Sequence, residues 1–186
     1  DEEYKKNGAN VNLSKEEVFK KSQIILKVNC LSSDEVSLIK NESIFIAQFD
    51  PTPNKEIFDK LKKNEIKFFS LNLLPRITRA QSMDVLSSQA NLAGYKAVVE
   101  SFSIFERAVP MMMTAAGTIP AAKVLVIGAG VAGLQAIATA KRMGAIVMAT
   151  DVRAAAKEQV ESLGGKFLAV EGSENLETEG GYAKEA

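Results

Sequence analysis

Three glycines and an aspartate in the second half of the chain have a spacing that suits nucleotide binding. Gly128, Gly130 and Gly133 form a GxGxxG motif, and Asp151 follows about 20 residues later. An apolar run precedes the motif and a helical pattern follows it, within a unit of about 30 residues. A glycine motif alone is weak evidence, but this context is the one that the dinucleotide fingerprint requires. The pattern therefore indicates binding of a nicotinamide dinucleotide, a carrier of hydride.

Each position of the motif has a physical role in holding a pyrophosphate. Gly128 permits a tight turn, Gly130 lets the backbone approach the phosphates, and Gly133 lets the helix pack closely on the strand. The amides of Val131 and Ala132 would face the phosphate oxygens at the positive end of the helix dipole.

The residues after the second strand bear on which nucleotide binds. Asp151 can accept hydrogen bonds from ribose hydroxyls and would repel a 2′-phosphate, which favours NAD(H) over NADP(H). Arg153 acts in the opposite direction, because an arginine nearby can accommodate that phosphate. The motif leaves two alternatives open, a flavin or nucleoside site and a glycine turn that binds no ligand.

The elements that must position these residues form half of a doubly wound sheet. We predict buried strands over 124–127 and 146–149, joined by a helix that ends at Gly144. A helix over about 154–163 and a third strand over 167–170 follow. This is a βαβαβ unit, which usually carries the adenine end of a dinucleotide.

Composition narrows the remaining chemistry. The chain has 186 residues, of which 46% are hydrophobic, and it carries 23 basic and 23 acidic residues. The balanced charge gives no general basic field for nucleic acid. Cys30 is the only cysteine and histidine is absent, which excludes an intrachain disulfide, a thiolate metal cluster and histidine triads. We see no 18-residue apolar run and no signal peptide.

The first 74 residues alternate between helix and strand. Ser14 with Glu17 and Ser32 with Glu35 have capping-box spacing for two helices. Residues 1–13 have no periodicity and are expected to form a loop. We predict strands over 24–28, 44–49 and 66–71, and a helix that starts at Thr52 and Pro53 and ends near residue 64. Such alternation predicts a parallel sheet covered by helices.

Between the two α/β regions lie a polar loop and a long helical pattern. The segment 76–89 is dense in polar side chains, and the helical pattern runs from about Met83 to Val109, where Pro110 closes it. Gly94 inside this helix indicates a close packing contact. The segment 111–120, MMMTAAGTIP, is expected to be a loop.

The predicted fold is α/β, with two Rossmann-like parallel-sheet lobes joined by a long helix. We expect a partial N-terminal lobe over 1–74, a polar loop and connecting helix over 75–110, and the first half of the nucleotide-binding lobe over 111–186. Both lobes are expected to be incomplete, as in a fragment of a longer protein.

Three stretches after residue 74 carry a resemblance to a known family: PRITRAQSMDVLSSQANLAGYKAV, FERAVPMMMTAAGTIPAAKVLVIGAGVAGLQAIATAKRMGA and VMATDVRAAAKEQVESLGGKF. They resemble domain I, the NAD(H)-binding alpha component of the proton-translocating NAD(P) transhydrogenases, a family related to alanine dehydrogenase. The terminal GGYAKEA resembles the start of that family's mobile loop. The first 74 residues match only in their α/β rhythm and in short pieces.

The resemblance implies roles for individual residues. The family's Arg–Gln–Asp loop, which contacts the nicotinamide end and the second nucleotide, matches Arg76, Gln81 and Asp84, although Arg79 could equally supply the cation. The positions that line the same cleft or belong to the mobile loop match Ser87, Tyr95, Gly181 and Tyr182. The nucleotide-contacting positions of the fingerprint match Gly128, Gly130, Val131, Gly133, Asp151, Val152 and Arg153.

The resemblance also implies a mechanism and partners. Hydride would pass directly from NADH on this component to NADP⁺ on a separate NADP(H)-binding domain, a reaction that requires ring proximity and exclusion of water but no acid or base. Gln81 and Arg76 would orient the substrate groups, Asp84 would order Arg76, and Tyr182 would close the site. The component would be a homodimer, attached through a membrane domain that couples proton movement to a bacterial or organellar inner membrane, on its cytoplasmic or matrix side.

Two other functions remain open. Alanine dehydrogenase needs a protonatable group, for which its family uses a histidine and a lysine. This chain has Gln48 at the position expected for the histidine, and Lys27 loosely resembles the lysine. Glutamine cannot act as an acid or base, which disfavours the dehydrogenase. A non-catalytic NAD-binding module would bind NADH without turnover.

Overall fold

A computed structural model describes residues 1–50, 52–75 and 77–169 of the chain. The chain divides into two compact units, Asp1–Asp84 and Val85–Ala186. Each unit contains a three-stranded parallel sheet, which confirms the predicted α/β class. The finer division into segments 1–74, 75–110 and 111–186 stays a prediction.

The sheet of the first unit has three parallel strands in the order in which they occur along the chain. They are β1 (Ile24–Lys27), β2 (Ile44–Ala47) and β3 (Lys67–Ser70). The apolar runs that predicted these strands are buried on one face, where Ile25 and Phe45 are 5% and 0% exposed. The opposite face is open, with Leu26 at 73%.

The described residues of the first unit form four α-helices: α1 (Glu2–Lys6), α2 (Lys15–Lys21), α3 (Ser33–Leu38) and α4 (Lys55–Lys63). Both predicted capping boxes are present. The hydroxyls of Ser14 and Ser32 accept from the amides of Glu17 and Glu35, and each glutamate accepts from the serine amide in return. These pairs satisfy backbone donors that the first turn of a helix leaves unpaired.

Two predictions for the first unit are wrong. Residues 1–13 include the short helix α1, whose acidic first turn and basic last turn complement the helix dipole although the helix buries no residue. The helix predicted from Thr52 and Pro53 begins at Lys55 instead. Asp50 explains the delay: its carboxylate accepts from the Thr52 amide, and its carbonyl accepts from the Asn54 side chain, which forms a turn.

The second unit begins with the longest helix, α5 (Val85–Phe105), after a 3-10 helix over Thr78–Met83 in the first unit. The helix is shorter at both ends than the predicted segment 83–109. It ends where Glu106 adopts a left-handed backbone conformation with φ of 55°, several residues before Pro110. A left-handed residue is a common way for a helix to terminate.

The methionine-rich segment is a β-hairpin and not the predicted loop. Strands β4 (Met112–Thr114) and β5 (Gly117–Ile119) pair antiparallel, with Met112 opposite Ile119. All six strand residues are exposed. The hairpin therefore lacks the alternation of buried and exposed residues by which a strand is recognised in a sequence.

The sheet of the second unit is parallel, with β7 (Ile146–Thr150) between β6 (Lys123–Ile127) and β8 (Lys166–Phe167). Helices α6 (Val131–Arg142) and α7 (Ala156–Ser162) connect these strands. The predicted third strand covered 167–170; β8 is shorter, and residue 170 lies outside the described residues. Ile137 of α6 packs in one core with Val147 and Ala149 of β7, which holds the start of α6 over the carboxyl ends of β6 and β7.

No helix among the described residues is long and apolar enough to cross a membrane.

Candidate nucleotide-binding site

The loop between β6 and α6 is fixed by backbone hydrogen bonds. Gly128 has φ of 93°, a conformation that favours glycine, and its amide donates to the Thr150 carbonyl at the end of β7 over 2.8 Å. Gly130 is the N-cap of α6, and its carbonyl accepts from the Leu134 amide at 2.8 Å. The loop therefore turns sharply out of the sheet and enters the helix within three residues, as the fingerprint requires.

The space around the glycines differs from one position to another. A Cβ on Gly133 would overlap the Gly128 carbonyl oxygen, so only glycine allows the helix to lie this close to the loop. A Cβ on Gly130 would meet no heavy atom within 4 Å. A Cβ on Gly128 would also meet no heavy atom, but Gly130 is the N-cap of α6, so its open side lets a ligand approach the backbone at the start of that helix.

The first turn of α6 is held in place by α5. A Cβ on Gly94 would overlap the carbonyl oxygen of Ala132, which confirms that this glycine marks a close packing contact. Val131 and Ala132 stand at the start of a 12-residue helix, where free amides and the helix dipole favour an anion.

A hydrogen-bond network at the end of β7 is the feature that the sequence did not predict. The Asp151 carboxylate accepts from the Ala129 amide at 2.6 Å and from the Arg153 amide at 2.8 Å. The Arg153 guanidinium donates to both carboxylate oxygens, from Nε at 2.9 Å and from Nη2 at 3.0 Å. Nη2 also donates to the Ala129 carbonyl at 3.1 Å. The peptide groups of Ala129 are thus held on both sides.

This network determines the charge state of Asp151. Its side chain is 6% exposed, and burial by itself raises the pKa of the carboxyl group. The hydrogen bonds from Arg153 and Ala129 and the positive charge of Arg153 outweigh burial and lower the pKa to about 2. Asp151 is therefore an anion at neutral pH, engaged with protein donors and not open to solvent.

The remaining predicted residues of the second unit lie in α5 or shortly after the end of β7. Tyr95 and Val152 are 51% and 40% exposed, and Ser87 is half-buried in the first turn of α5. Ala129, which sequence reasoning missed, is fully buried. It carries no polar side chain, so no signal in the sequence could have marked it.

The predicted polar loop belongs to the first unit. Gln81 is exposed in the 3-10 helix, and its carbonyl accepts from the Asp84 amide at 3.2 Å. Arg76, Gly181 and Tyr182 lie outside the described residues. The roles of these five residues remain predictions.

The two residues relevant to a dehydrogenase lie at the carboxyl ends of neighbouring strands. Lys27 pairs in register with Ala47, and the amide of the next residue, Gln48, donates to the Val28 carbonyl at 3.0 Å. Lys27 Nζ donates to Glu35 Oε2 at 2.7 Å and to the Cys30 carbonyl at 3.1 Å. The bond from Lys27 lowers the pKa of Glu35. Lys27 is thus engaged in fixing the loop between β1 and α3.

Two protein-family domains match this chain, one in each half. The alanine dehydrogenase/PNT N-terminal domain matches residues 1–93, and the alanine dehydrogenase/PNT C-terminal domain matches residues 97–184. The chain belongs to the alanine dehydrogenase/PNT family. Membership of this family confirms the resemblance found in the sequence.

Individual relatives narrow the similarity to the transhydrogenases. The chain is 61% identical over 155 residues to an NAD(P) transhydrogenase alpha subunit of Rhodospirillum rubrum, a match that covers 82% of this chain and 40% of that protein. The solved structure of the transhydrogenase from Sinorhizobium meliloti superposes with a TM-score of 0.84 at 57% identity, over 92% of this chain and 49% of that chain. The chain therefore spans half or less of the length of these relatives.

L-Alanine dehydrogenase has the same fold. Its structure superposes with a TM-score of 0.73 at 20% identity, over 90% of this chain and 47% of that chain. At this identity the likeness concerns the fold and gives no information about the reaction.

Proposed function

We propose that this chain is the NAD(H)-binding part of a transhydrogenase, in which hydride passes directly between NADH and NADP⁺. The observation that carries the proposal is the geometry of the loop 128–133. This loop leaves open space beside Gly130 at the start of α6, and the Asp151 carboxylate accepts a hydrogen bond from its Ala129 amide. Its similarity to proteins named NAD(P) transhydrogenase subunit alpha supports the transhydrogenase assignment.

The residues present suit a dinucleotide. The amides of Val131 and Ala132 would bind the pyrophosphate above the open side of Gly130. Asp151 would accept hydrogen bonds from the adenosine ribose, with Val152 and Arg153 beside it. The bound nicotinamide ring supplies the hydride, and the protein has only to orient it and exclude water.

The polar residues carried over from the family complete the proposed site. Arg76 and Gln81 would orient the nicotinamide and the second nucleotide, and Asp84 would order Arg76. Ser87 and Tyr95 would line the cleft, and Gly181 and Tyr182 would belong to the loop that closes it. None of these side chains needs to transfer a proton, which agrees with a chain that contains no histidine.

The proposed partners follow from the resemblance to the transhydrogenases. NADP(H) would be bound by a separate domain of the same complex, and a membrane domain would couple hydride transfer to proton translocation. We further propose that the component is a homodimer, located on the cytoplasmic or matrix side of a bacterial or organellar inner membrane.

The test compares two reactions of the same protein with NADH. Because NADPH absorbs light as NADH does, the four nucleotides are separated by chromatography, and loss of NADH and gain of NAD⁺ and NADPH are measured. One reaction receives the NADP⁺-loaded partner domain, and the other receives pyruvate and ammonium. We expect oxidation only with the partner domain, and a reaction with free NADP⁺ alone serves as the control.

Each alternative gives a different result in this test. Oxidation with pyruvate and ammonium would identify an alanine dehydrogenase, a result that the engagement of Lys27 by Glu35 disfavours. Binding of NADH without oxidation in either reaction would identify a non-catalytic NAD-binding module.

A further inference from the structure

The Asp151 carboxylate has no hydrogen-bonding capacity left over. Oδ1 accepts from the amide and Nε of Arg153, and Oδ2 accepts from the Ala129 amide and Arg153 Nη2. A carboxylate offers about four lone-pair positions, and these four donors occupy them. A ribose hydroxyl can therefore bind Asp151 only if one of these donors leaves.

The four donors are of two kinds. The amides of Ala129 and Arg153 belong to the backbone, and they hold the carboxylate against the glycine-rich loop at 2.6 and 2.8 Å. Nε and Nη2 belong to a side chain, which can rotate away by giving up its bonds to Asp151 and to the Ala129 carbonyl while both backbone bonds to the carboxylate stay in place. The guanidinium is consequently the group that a ligand can replace at the lowest cost.

The geometry of the replaceable pair matches a nucleotide. Nε and Nη2 of Arg153 form a fork that gives one hydrogen bond to each carboxylate oxygen. The 2′- and 3′-hydroxyls of a ribose are adjacent donors that can form the same pair of bonds to a carboxylate. The guanidinium and the vicinal diol thus compete for the same two lone pairs of Asp151.

We propose that the Arg153 guanidinium is a latch, a side chain that covers the adenosine-ribose subsite, and that a dinucleotide whose adenosine ribose has free 2′- and 3′-hydroxyls displaces it from Asp151 on binding. This proposal rests on the proposed binding of NAD(H) at the fingerprint. The backbone bonds from Ala129 and Arg153 keep the carboxylate in place during the exchange. Arg153 is therefore a residue that determines both affinity and selectivity for the ribose.

Selectivity follows from what the ligand must donate. A ligand with both hydroxyls supplies two donors and satisfies both oxygens of Asp151 after the guanidinium has left. A 2′-phosphorylated ribose supplies only one donor and brings negative charge to a carboxylate that is already an anion. Reduced nicotinamide mononucleotide has no adenosine ribose, so its binding should not depend on the latch.

The test measures the affinity of NADH and of reduced nicotinamide mononucleotide by nucleotide fluorescence. In Arg153→Gln we expect NADH to bind roughly tenfold more tightly, because it no longer has to displace the fork, and the affinity for the mononucleotide to stay the same. Arg142→Gln, an exposed arginine at the end of α6, is the matched control with the same loss of charge. It should bind both ligands as the unmodified protein does.

A second variant and an NMR measurement test the latch if Arg153→Gln does not fold. If Arg153→Gln unfolds, Arg153→Lys carries the test, since lysine keeps the charge but has no fork. In the unmodified protein, the NMR signal of Arg153 Nε–H should shift when NADH is added and stay in place when the mononucleotide is added.

The outcomes separate this proposal from the function. Unchanged or weaker NADH binding in the Arg153 variants would overturn the latch but not the proposed function. The same holds for an Arg153 Nε–H signal that does not shift when NADH is added. Failure of the unmodified protein to bind NADH would overturn the proposed function, and the latch with it.

Discussion

At the scale of single residues, Gly133 and Gly130 of the fingerprint differ in the space around them, as their positions in the motif predict. Gly133 is required by the fold, because a side chain there would overlap the Gly128 carbonyl. Gly130 has φ of −75° and ψ of −166°, which other residues adopt, and open space where a Cβ would be. The fold therefore does not require glycine at position 130, and we expect that the proposed nucleotide does.

This distinction predicts opposite effects of the same substitution. Gly133→Ala should lower the free energy of unfolding by about 1–3 kcal/mol, as overpacking does. Gly130→Ala should leave it unchanged or raise it by about 0.5 kcal/mol, because alanine restricts the unfolded chain, yet weaken NADH binding roughly tenfold or more. Urea unfolding and NADH titration measure the two effects. Normal NADH binding in a folded Gly130→Ala protein would contradict this assignment.

Asp151 should make folding stability depend on pH. Its folded pKa of about 2 lies below the usual value of 3.8, so its contribution is fully present above about pH 4 and is lost as the pH falls through the folded pKa. The contribution is about 2 kcal/mol. The gap in unfolding free energy between the unmodified protein and Asp151→Asn should therefore narrow from pH 5 to pH 2. A gap that does not change with pH would show that Asp151 is not stabilised as an anion.

At the scale of elements, the contact between α5 and α6 links the longest helix to the nucleotide site. Gly94 lies against the carbonyl of Ala132, in the first turn of α6. Any side chain at position 94 has to push α5 away from the helix start whose amides are proposed to bind phosphate. The packing of α5 thus contributes to the geometry of the site.

Gly94→Ala should therefore destabilise the protein, although helix propensity alone predicts that alanine stabilises it. Propensity alone would stabilise the helix by about 1 kcal/mol, but the overlap with Ala132 should make the variant about 1–3 kcal/mol less stable and weaken NADH binding. The control is Ala93→Gly at the exposed neighbouring position, which should cost about 1 kcal/mol and leave NADH binding intact. Thermal unfolding and NADH titration give both values. A more stable Gly94→Ala protein would exclude the close contact.

The elements that could be predicted from sequence are those with a regular pattern of burial. The strands that begin at Ile24, Ile44 and Ile146 were apparent as apolar runs, and both serine capping boxes were apparent from spacing. The hairpin of β4 and β5 was missed because every one of its strand residues is exposed and Ala115–Ala116 is not a typical turn sequence.

The sequence predicted the position of the candidate site but not its hydrogen bonds. The glycine spacing and the position of Asp151 identified the loop, because each depends on local geometry. The bonds that the Asp151 carboxylate accepts from the Ala129 amide and from the Arg153 guanidinium depend on how the end of β7 meets the loop after β6. The sequence shows which polar groups are near one another along the chain, but not which of them saturate a carboxylate.

At the scale of the whole chain, the described residues form two hydrophobic cores, one in each unit. The first contains Phe45 and Leu61, and the second contains Ile137, Val147 and Val160. Each core is closed by helices and strands of its own unit, and the matches to the two family domains follow the same order along the chain. The parallel sheets that hold the two cores therefore do not depend on shared core residues.

Cavities in the two cores should consequently have local effects. Leu61 and Ile137 are both fully buried, and truncation of either to alanine should cost about 2–5 kcal/mol. In Leu61→Ala, amide hydrogen exchange should accelerate in β1, β2 and β3 while β6 and β7 keep their protection and NADH still binds. In Ile137→Ala, protection should be lost in β6 and β7 instead, and NADH binding with it. Loss of protection in both sheets from either single substitution would mean that the two units unfold as one.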